Sequence, residues 1–327
     1  MDAFHNYNNL LAFFLGNENI AKNEDSMGAP FIKAAARDMK AYRNGKGYRN
    51  IPIGYSAADI KELRPMLQDY LTCGGNASET IEFFGINSYS WCDPSDYWQS
   101  TYNQLQEFAK DFPVPIFFTE TGCNIPGPRL WEDQEAIFGQ EMIGDWSGAI
   151  IYEWIQEQNN YGIINYGPPV GDPTKNDESV FDNWTRKGTP TPVSPDFKNL
   201  KARWATLSPA GVSRGDYDPS HVSTRDCPAA TEGGWWAVDG DVKLPALDET
   251  VTAFVAPTDF MKGSITLTEP SSTSARTSIV ETESASSDAD LSEEDQHNAE
   301  NLAGGEGEAA AIGLSIGGVV FGLMLWL

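Results

Sequence analysis

Val114–Gly122 reads VPIFFTETG, an almost unbroken apolar run that closes on Thr119, Glu120 and Thr121. A strand of this kind is buried on both faces, as the strands of a parallel sheet are. Four more runs share the layout: Leu10–Gly16 (LLAFFLG), Ile51–Ser56 (IPIGYS), Phe83–Trp91 (FFGINSYSW) and Gly148–Ile155 (GAIIYEWI). Between them lie helix-like stretches: the AADIKELRPMLQDYL segment that follows Ser56, then Tyr102–Phe112, then Trp131–Trp146. Strand and helix alternate up to about residue 205, which predicts five βα units around a parallel sheet. Each run ends in a polar or aromatic cluster: Asn17-Glu18, Tyr55-Ser56, Asn87 to Trp91, Glu120 to Asn124, and Tyr152-Glu153-Trp154. In a (β/α)8 TIM barrel the C-terminal strand ends form the active-site face, so the pattern suits a barrel. The glycine fingerprint of a nucleotide-binding sheet is not found.

Composition narrows the partners. The chain has 327 residues, with Lys+Arg 22 against Asp+Glu 47 and a net charge of −25. Such an acidic chain repels phosphate backbones and anionic headgroups, so nucleic acid and electrostatic membrane adhesion are disfavoured. An uncharged polymer such as a polysaccharide fits the balance. Four cysteines are too few for a disulfide-knot scaffold, show no metal-like Cys-x-x-Cys pairing and allow three pairings.

Both ends of the chain carry signals of their own. From Ala309 to Leu327 runs AAAIGLSIGGVVFGLMLWL, without a charge. Ahead of it stand the small residues Asn301 to Gly305 and the short spacer Glu306-Gly307-Glu308. Small residues, spacer and apolar tail form the signature for glycosylphosphatidylinositol (GPI) attachment, in which the tail is removed and a lipid replaces it. The alternative is a tail-anchored helix, against which the missing basic flank argues. Upstream, roughly Gly263 to Glu300 is rich in Ser, Thr and acid, buries too little to offset chain entropy, and is expected to be a disordered stalk. The N-terminus, MDAFHNYNNLLAFFLGNE, has no basic n-region and no small-residue cleavage site, so a lipid-anchor signal stands without an entry signal. The simplest resolution is that a further N-terminal portion belongs to the protein.

Two glutamates stand out by position. Glu18 ends LAFFLGNE and Glu120 ends PVPIFFTE. A carboxylate at the end of a buried strand is costly unless it is paired or functional. On one barrel mouth the two converge, and glycosidic-bond chemistry needs two such groups, about 5–5.5 Å apart in a retaining enzyme. Ion-paired scaffold residues are the competing reading of the same positions.

FFLGNE, GINSYSWC, PIFFTETGCN and GAIIYEW, in that order and spacing, resemble the catalytic domain of the fungal GPI-anchored β-1,3-glucanosyltransferases, glycoside hydrolase family 72. The resemblance runs from Asp2 to about Leu207, with a counterpart for the Cys-Pro at Cys227. It implies that Glu18 is the general acid/base and Glu120 the nucleophile of a covalent glycosyl-enzyme. Asn17 would hydrogen-bond the sugar 2-hydroxyl, Tyr89 would hold the nucleophile, and Tyr152 would line the sugar site, with Trp154 a neighbour. The implied reaction cleaves one β-1,3-glucan chain and passes the new end to a second, acceptor chain. It needs no metal and no organic cofactor. The implied disulfides are Cys92–Cys123 and Cys73–Cys227, in place of the free thiols a cytosolic enzyme would keep. Asn76 and Asn183 head acceptor sequons for N-glycosylation. The cysteine-rich carbohydrate-binding module of some members is not expected, since only Cys227 follows position 123.

The organisation expected is a partial (β/α)8 catalytic domain at 1–215, with barrel strands 4 to 8 present, and an extension at 216–262 packed on the barrel. A stalk at 263–305 and a GPI-attachment signal at 306–327 follow. Only seventeen residues precede Glu18, so the resemblance implies three further βα units upstream. The implied location is the outer leaflet of the plasma membrane and the cell wall. Two other functions stay open: a truncated, inactive wall-associated glycoprotein that binds glucan, and a plain retaining β-glucanase.

Overall fold

The computed structural model describes residues 1–247, apart from 168–169, 171–178, 182, 212, 214, 219–221 and 223. The expected stalk and attachment signal lie outside the described residues, as does the end of the extension. No helix among the described residues is long and apolar enough to cross a membrane.

Five parallel strands lie side by side in chain order: β1 (Phe13–Asn17), β2 (Ile53–Ala58), β3 (Phe84–Asn87), β4 (Ile116–Thr121) and β5 (Trp146–Ile151). The crossovers carry α1 (Ala29–Gly45), α2 (Arg64–Thr72), α3 (Tyr102–Ala109) and α4 (Asp133–Ile137). Short antiparallel pairs follow, β6 (Ile164–Asn165) with β9 (Thr191–Pro192) and β7 (Val180–Phe181) with β8 (Trp184–Thr185), and then α5 (Asp196–Trp204). One helical expectation shrinks. The Trp131–Trp146 stretch yields only the five residues of α4, because Gly139, Gly144 and a string of turns break the helix before β5. Asp93, from the loop after β3, accepts from the amides of Leu130, Trp131 and Glu132 and so caps the segment leading into α4.

The sheet has two unlike faces. One packs on the helices: Tyr55, Ala57, Phe84, Ile86, Phe118 and Trp146 join Leu67 and Tyr70 of α2 and Leu105 of α3 in one core. The other face is aromatic near the strand starts, where Phe14, Phe83 and Phe117 meet ring to ring at 5.1 to 6.5 Å. Toward the strand ends it becomes polar, with Ser56, Asn87 and Thr119 in mutual contact. Gly85 makes this possible, since a Cβ there would run into the Thr119 side chain.

The part of the extension that is described packs on the helix layer. Trp236 is fully buried, lies 5.4 Å ring to ring from Tyr70 of α2, and shares the core with Val238. The amide of Ala237 donates to Ser26 Oγ, ahead of α1. Cys227 is bonded to Cys73 at the end of α2.

Candidate active site

All five strands point their C-terminal ends the same way, and two local irregularities aim the carboxylates. Between β3 and β4, Ile86 pairs with Phe118 but Asn87 pairs with Glu120, so β4 holds an extra residue there. Strict alternation would turn Glu120 toward the helices beside Phe118. The bulge instead leaves both Thr119 and Glu120 on the polar face and sends Thr121 to the helix side, where its hydroxyl donates to buried Asp133. In β1 four residues, Phe14 to Asn17, span what three span in β2, Gly54 to Ser56, which keeps Asn17 on the polar face. Glu18 follows at φ 52°, in the left-handed region that non-glycine residues seldom occupy. Its amide donates to Ser56 O at 3.0 Å, fixing the turn.

One side chain joins these parts. Asn87 Nδ2 donates to Glu18 Oε1 at 2.7 Å and to Asn17 Oδ1 at 3.0 Å. Its Oδ1 accepts from Ser56 Oγ at 2.8 Å and Thr119 Oγ1 at 2.7 Å. On the far side, Tyr89 donates its hydroxyl to Glu120 Oε2 at 2.6 Å. Asn17, Glu18, Tyr89 and Glu120 thus stand at one end of one sheet. Among the described residues neither Glu18 nor Glu120 enters an ion pair.

The electrostatics follow from that placement. Burial pushes the Glu18 carboxyl above the ordinary range, against the Asn87 hydrogen bond, which lowers it. Burial first and the Glu18 charge second push Glu120 up to about 8, against the Tyr89 hydrogen bond, which lowers it. Burial thus disfavours the charged form of both carboxyls, and the Glu18 charge adds to that at Glu120.

A wall of tyrosines closes the side near β5. Tyr89, Tyr152 and Tyr161 meet edge to face at 5.3 to 6.0 Å. Trp154 beside them is 49% exposed, and its indole N–H donates to Tyr166. The wall hangs on Arg129, which is buried and donates to Tyr152 O at 3.1 Å, Tyr161 O at 2.7 Å and Asp196 Oδ2 at 2.6 Å. Glu153 is raised to about 7, by burial and then by the Glu157 charge, and accepts from Asn159 Nδ2 at 2.8 Å. Among the described residues no cluster of His, Cys, Asp and Glu could hold a metal ion.

The four cysteines form two bonds. Cys92 bridges to Cys123, joining the loops after β3 and β4 across a Cα separation of 5.0 Å, and Cys73 bridges to Cys227. Of the two sequons, Asn76 is exposed with Oδ1 turned back on Ser78. Asn183 lies in the turn between β7 and β8, with Oδ1 buried.

The glucanosyltransferase family, glycoside hydrolase family 72, matches residues 1–187. The chain belongs to that family. Among relatives of this family 72 chain, the 1,3-β-glucanosyltransferase Gas2 of Saccharomyces cerevisiae is 33% identical over 270 residues, covering 79% of the chain and 44% of the relative. The gas2 enzyme of Schizosaccharomyces pombe is 35% identical over 240 residues, covering 72% and 48%. Protein EPD1 of Candida maltosa is 37% identical over 232 residues, covering 71% and 38%. The chain therefore spans less than half the length of these curated relatives. Among solved structures, a Glu-to-Gln variant of Saccharomyces cerevisiae Gas2p in complex with laminaritetraose and laminaripentaose superposes with a TM-score of 0.61. Its sequence is 32% identical, over 74% of this chain and 48% of that one. The fold class is accordingly that of the (β/α)8 barrel, of which the described residues hold a sheet of five parallel strands.

Around the two carboxylates, Ser56, Asn87 and Thr119 stood in the sequence as strand-end polar residues without a role, and Arg129 and Tyr161 escaped the sequence reading. Asn87 lies inside the quoted GINSYSW run, two residues before Tyr89, and that spacing was its available signal. The other four reach the site through contacts between strands or loops that no linear spacing announces.

Proposed function

We propose that the chain is a retaining β-1,3-glucanosyltransferase acting on glucan chains of the fungal cell wall. The observation that carries this reading is the placement of Glu18 and Glu120 at one sheet end, each carboxylate held by its own hydrogen-bond donor. Glu120 attacks the anomeric carbon while Glu18 protonates the departing glycosidic oxygen, which leaves a glycosyl-enzyme ester and a free chain end. Glu18, now ionised, takes the proton from an acceptor hydroxyl, which displaces Glu120 and restores the starting state. Asn17 would hydrogen-bond the sugar 2-hydroxyl, Tyr89 would hold the orientation of Glu120 and favour its ionised form against burial, and Tyr152 would offer a face to the sugar. The donor class is supported by the laminari-oligosaccharides bound in the Gas2p structure. No cofactor enters the scheme.

The wider protein is read in the same way. We place the partial catalytic domain at 1–215, the packed extension at 216–262, a stalk at 263–305 and a removable attachment signal at 306–327. The mature protein would sit at the cell surface on a GPI lipid, with N-glycans on Asn76 and Asn183. Release from intact cells by a phosphatidylinositol-specific phospholipase tests the lipid.

Incubating the purified chain with a reduced β-1,3-glucan oligosaccharide tests the activity. Products longer than the substrate support transfer. Shorter products alone point to a plain β-glucanase, and unchanged substrate to a glucan-binding wall glycoprotein.

A further inference from the structure

Asn87 is buried, touches both Asn17 and Glu18, and is itself held from beneath by two hydroxyls. Ser56 Oγ and Thr119 Oγ1 are 2.7 Å apart, and both lie within hydrogen-bond reach of Asn87 Oδ1. The amide lies with its NH2 toward Asn17 and the Glu18 carboxyl and its oxygen toward the two hydroxyls, a placement in which each of its polar atoms has a partner. The oxygen of Glu18 that receives an amide N–H is poorly suited to carry a proton as well. We propose that Asn87, oriented by Ser56 and Thr119, is a positioning residue that reserves Oε1 of Glu18 as the hydrogen-bonded oxygen and so leaves the transferable proton on Oε2.

This rests on Glu18 being the general acid. The proton that leaves Oε2 goes to the glycosidic oxygen as the bond to the anomeric carbon breaks, and Oε1 keeps its amide donor throughout. The titratable groups that feel the Glu18 charge are Tyr55 of β2 and Glu120 of β4. Because Glu120 and Glu18 are coupled, the Glu18 titration is read in a Glu120→Gln background, where a change is traceable to the lost amide.

Two substrates and one titration test the proposal. Asn87→Leu should lower turnover of β-1,3-glucan by about 100-fold, the scale of general-acid assistance. On β-laminaribiosyl fluoride, whose leaving group needs little protonation, formation of the glycosyl-enzyme should fall by less than about 5-fold, since the acid's contribution is then mostly absent. Thr119→Val combined with Ser56→Ala keeps the amide but removes its orienting donors, and should show the same split more weakly. Equal losses on both substrates would overturn the proposal. Should the unmodified chain act on neither substrate, the enzymatic reading fails, and 13C titration of the Glu18 carboxyl still decides this one. An upward shift in Asn87→Leu supports it, and an unchanged titration rejects it.

Discussion

At the scale of single residues, the site depends on which donor faces which carboxylate. Glu120→Gln should lower glucan transfer by at least about 1000-fold, because no covalent ester can form. The same variant should be more stable than the unmodified chain. Glu120 is raised from its ordinary value of 4.5 to about 8 in the folded state. Between those values the native chain binds more protons than the unfolded one, so its stability falls as pH rises through this window. Thermal melts at pH 5 and pH 8.5 should therefore show a larger gain for Glu120→Gln at the higher pH. Tyr89→Phe removes the hydroxyl donor to Glu120 and should push that carboxyl higher still, moving the acidic limb of the rate profile upward. Glu18 and Glu120 stood out in the sequence because each ends an apolar run, whereas Tyr89 and Tyr152 were named through the family resemblance. The roles of Ser56 and Thr119 were not legible, because a hydroxyl in a strand declares no partner until the neighbouring strand is in register.

At the scale of elements, the five strands were legible because buried parallel strands are long apolar words. Their bulges were not. One extra residue in β4 decides whether Glu120 faces the polar side of the sheet or the helices, and nothing in VPIFFTETG distinguishes the two. The shortness of α4 escaped for a related reason: its flanks are amphipathic enough to pass for helix, yet Asp93 and the glycines bound it from outside the periodic pattern. Asp93→Ala strips the acceptor from three amides around Trp131. It should cost about 2 kcal/mol, read as a lowered urea midpoint at unchanged slope. Arg129 is a comparable knot, tying the ends of β4 and β5 to α5. Arg129→Ala leaves Asp196 without its ion partner and should cost about 3 kcal/mol. The same change should loosen the tyrosine wall and raise KM for glucan more than it lowers kcat.

At the scale of the molecule, a helix-covered back and a polar front divide the labour, and the extension belongs to the back. Its Trp236 completes the core behind α2, far in sequence from anything that hinted at it beyond the Trp235-Trp236 pair. The bond from Cys73 to Cys227 closes a span of 154 residues. That span also sets a clock for biosynthesis. At about 5–20 residues per second, Cys73 waits roughly 8–30 seconds for its partner to be made, and Cys92 and Cys123 are made inside that delay. A nascent chain in an oxidising lumen therefore meets two wrong thiols before the right one, and secretion of this protein should lean on a disulfide isomerase more heavily than the small number of its cysteines suggests.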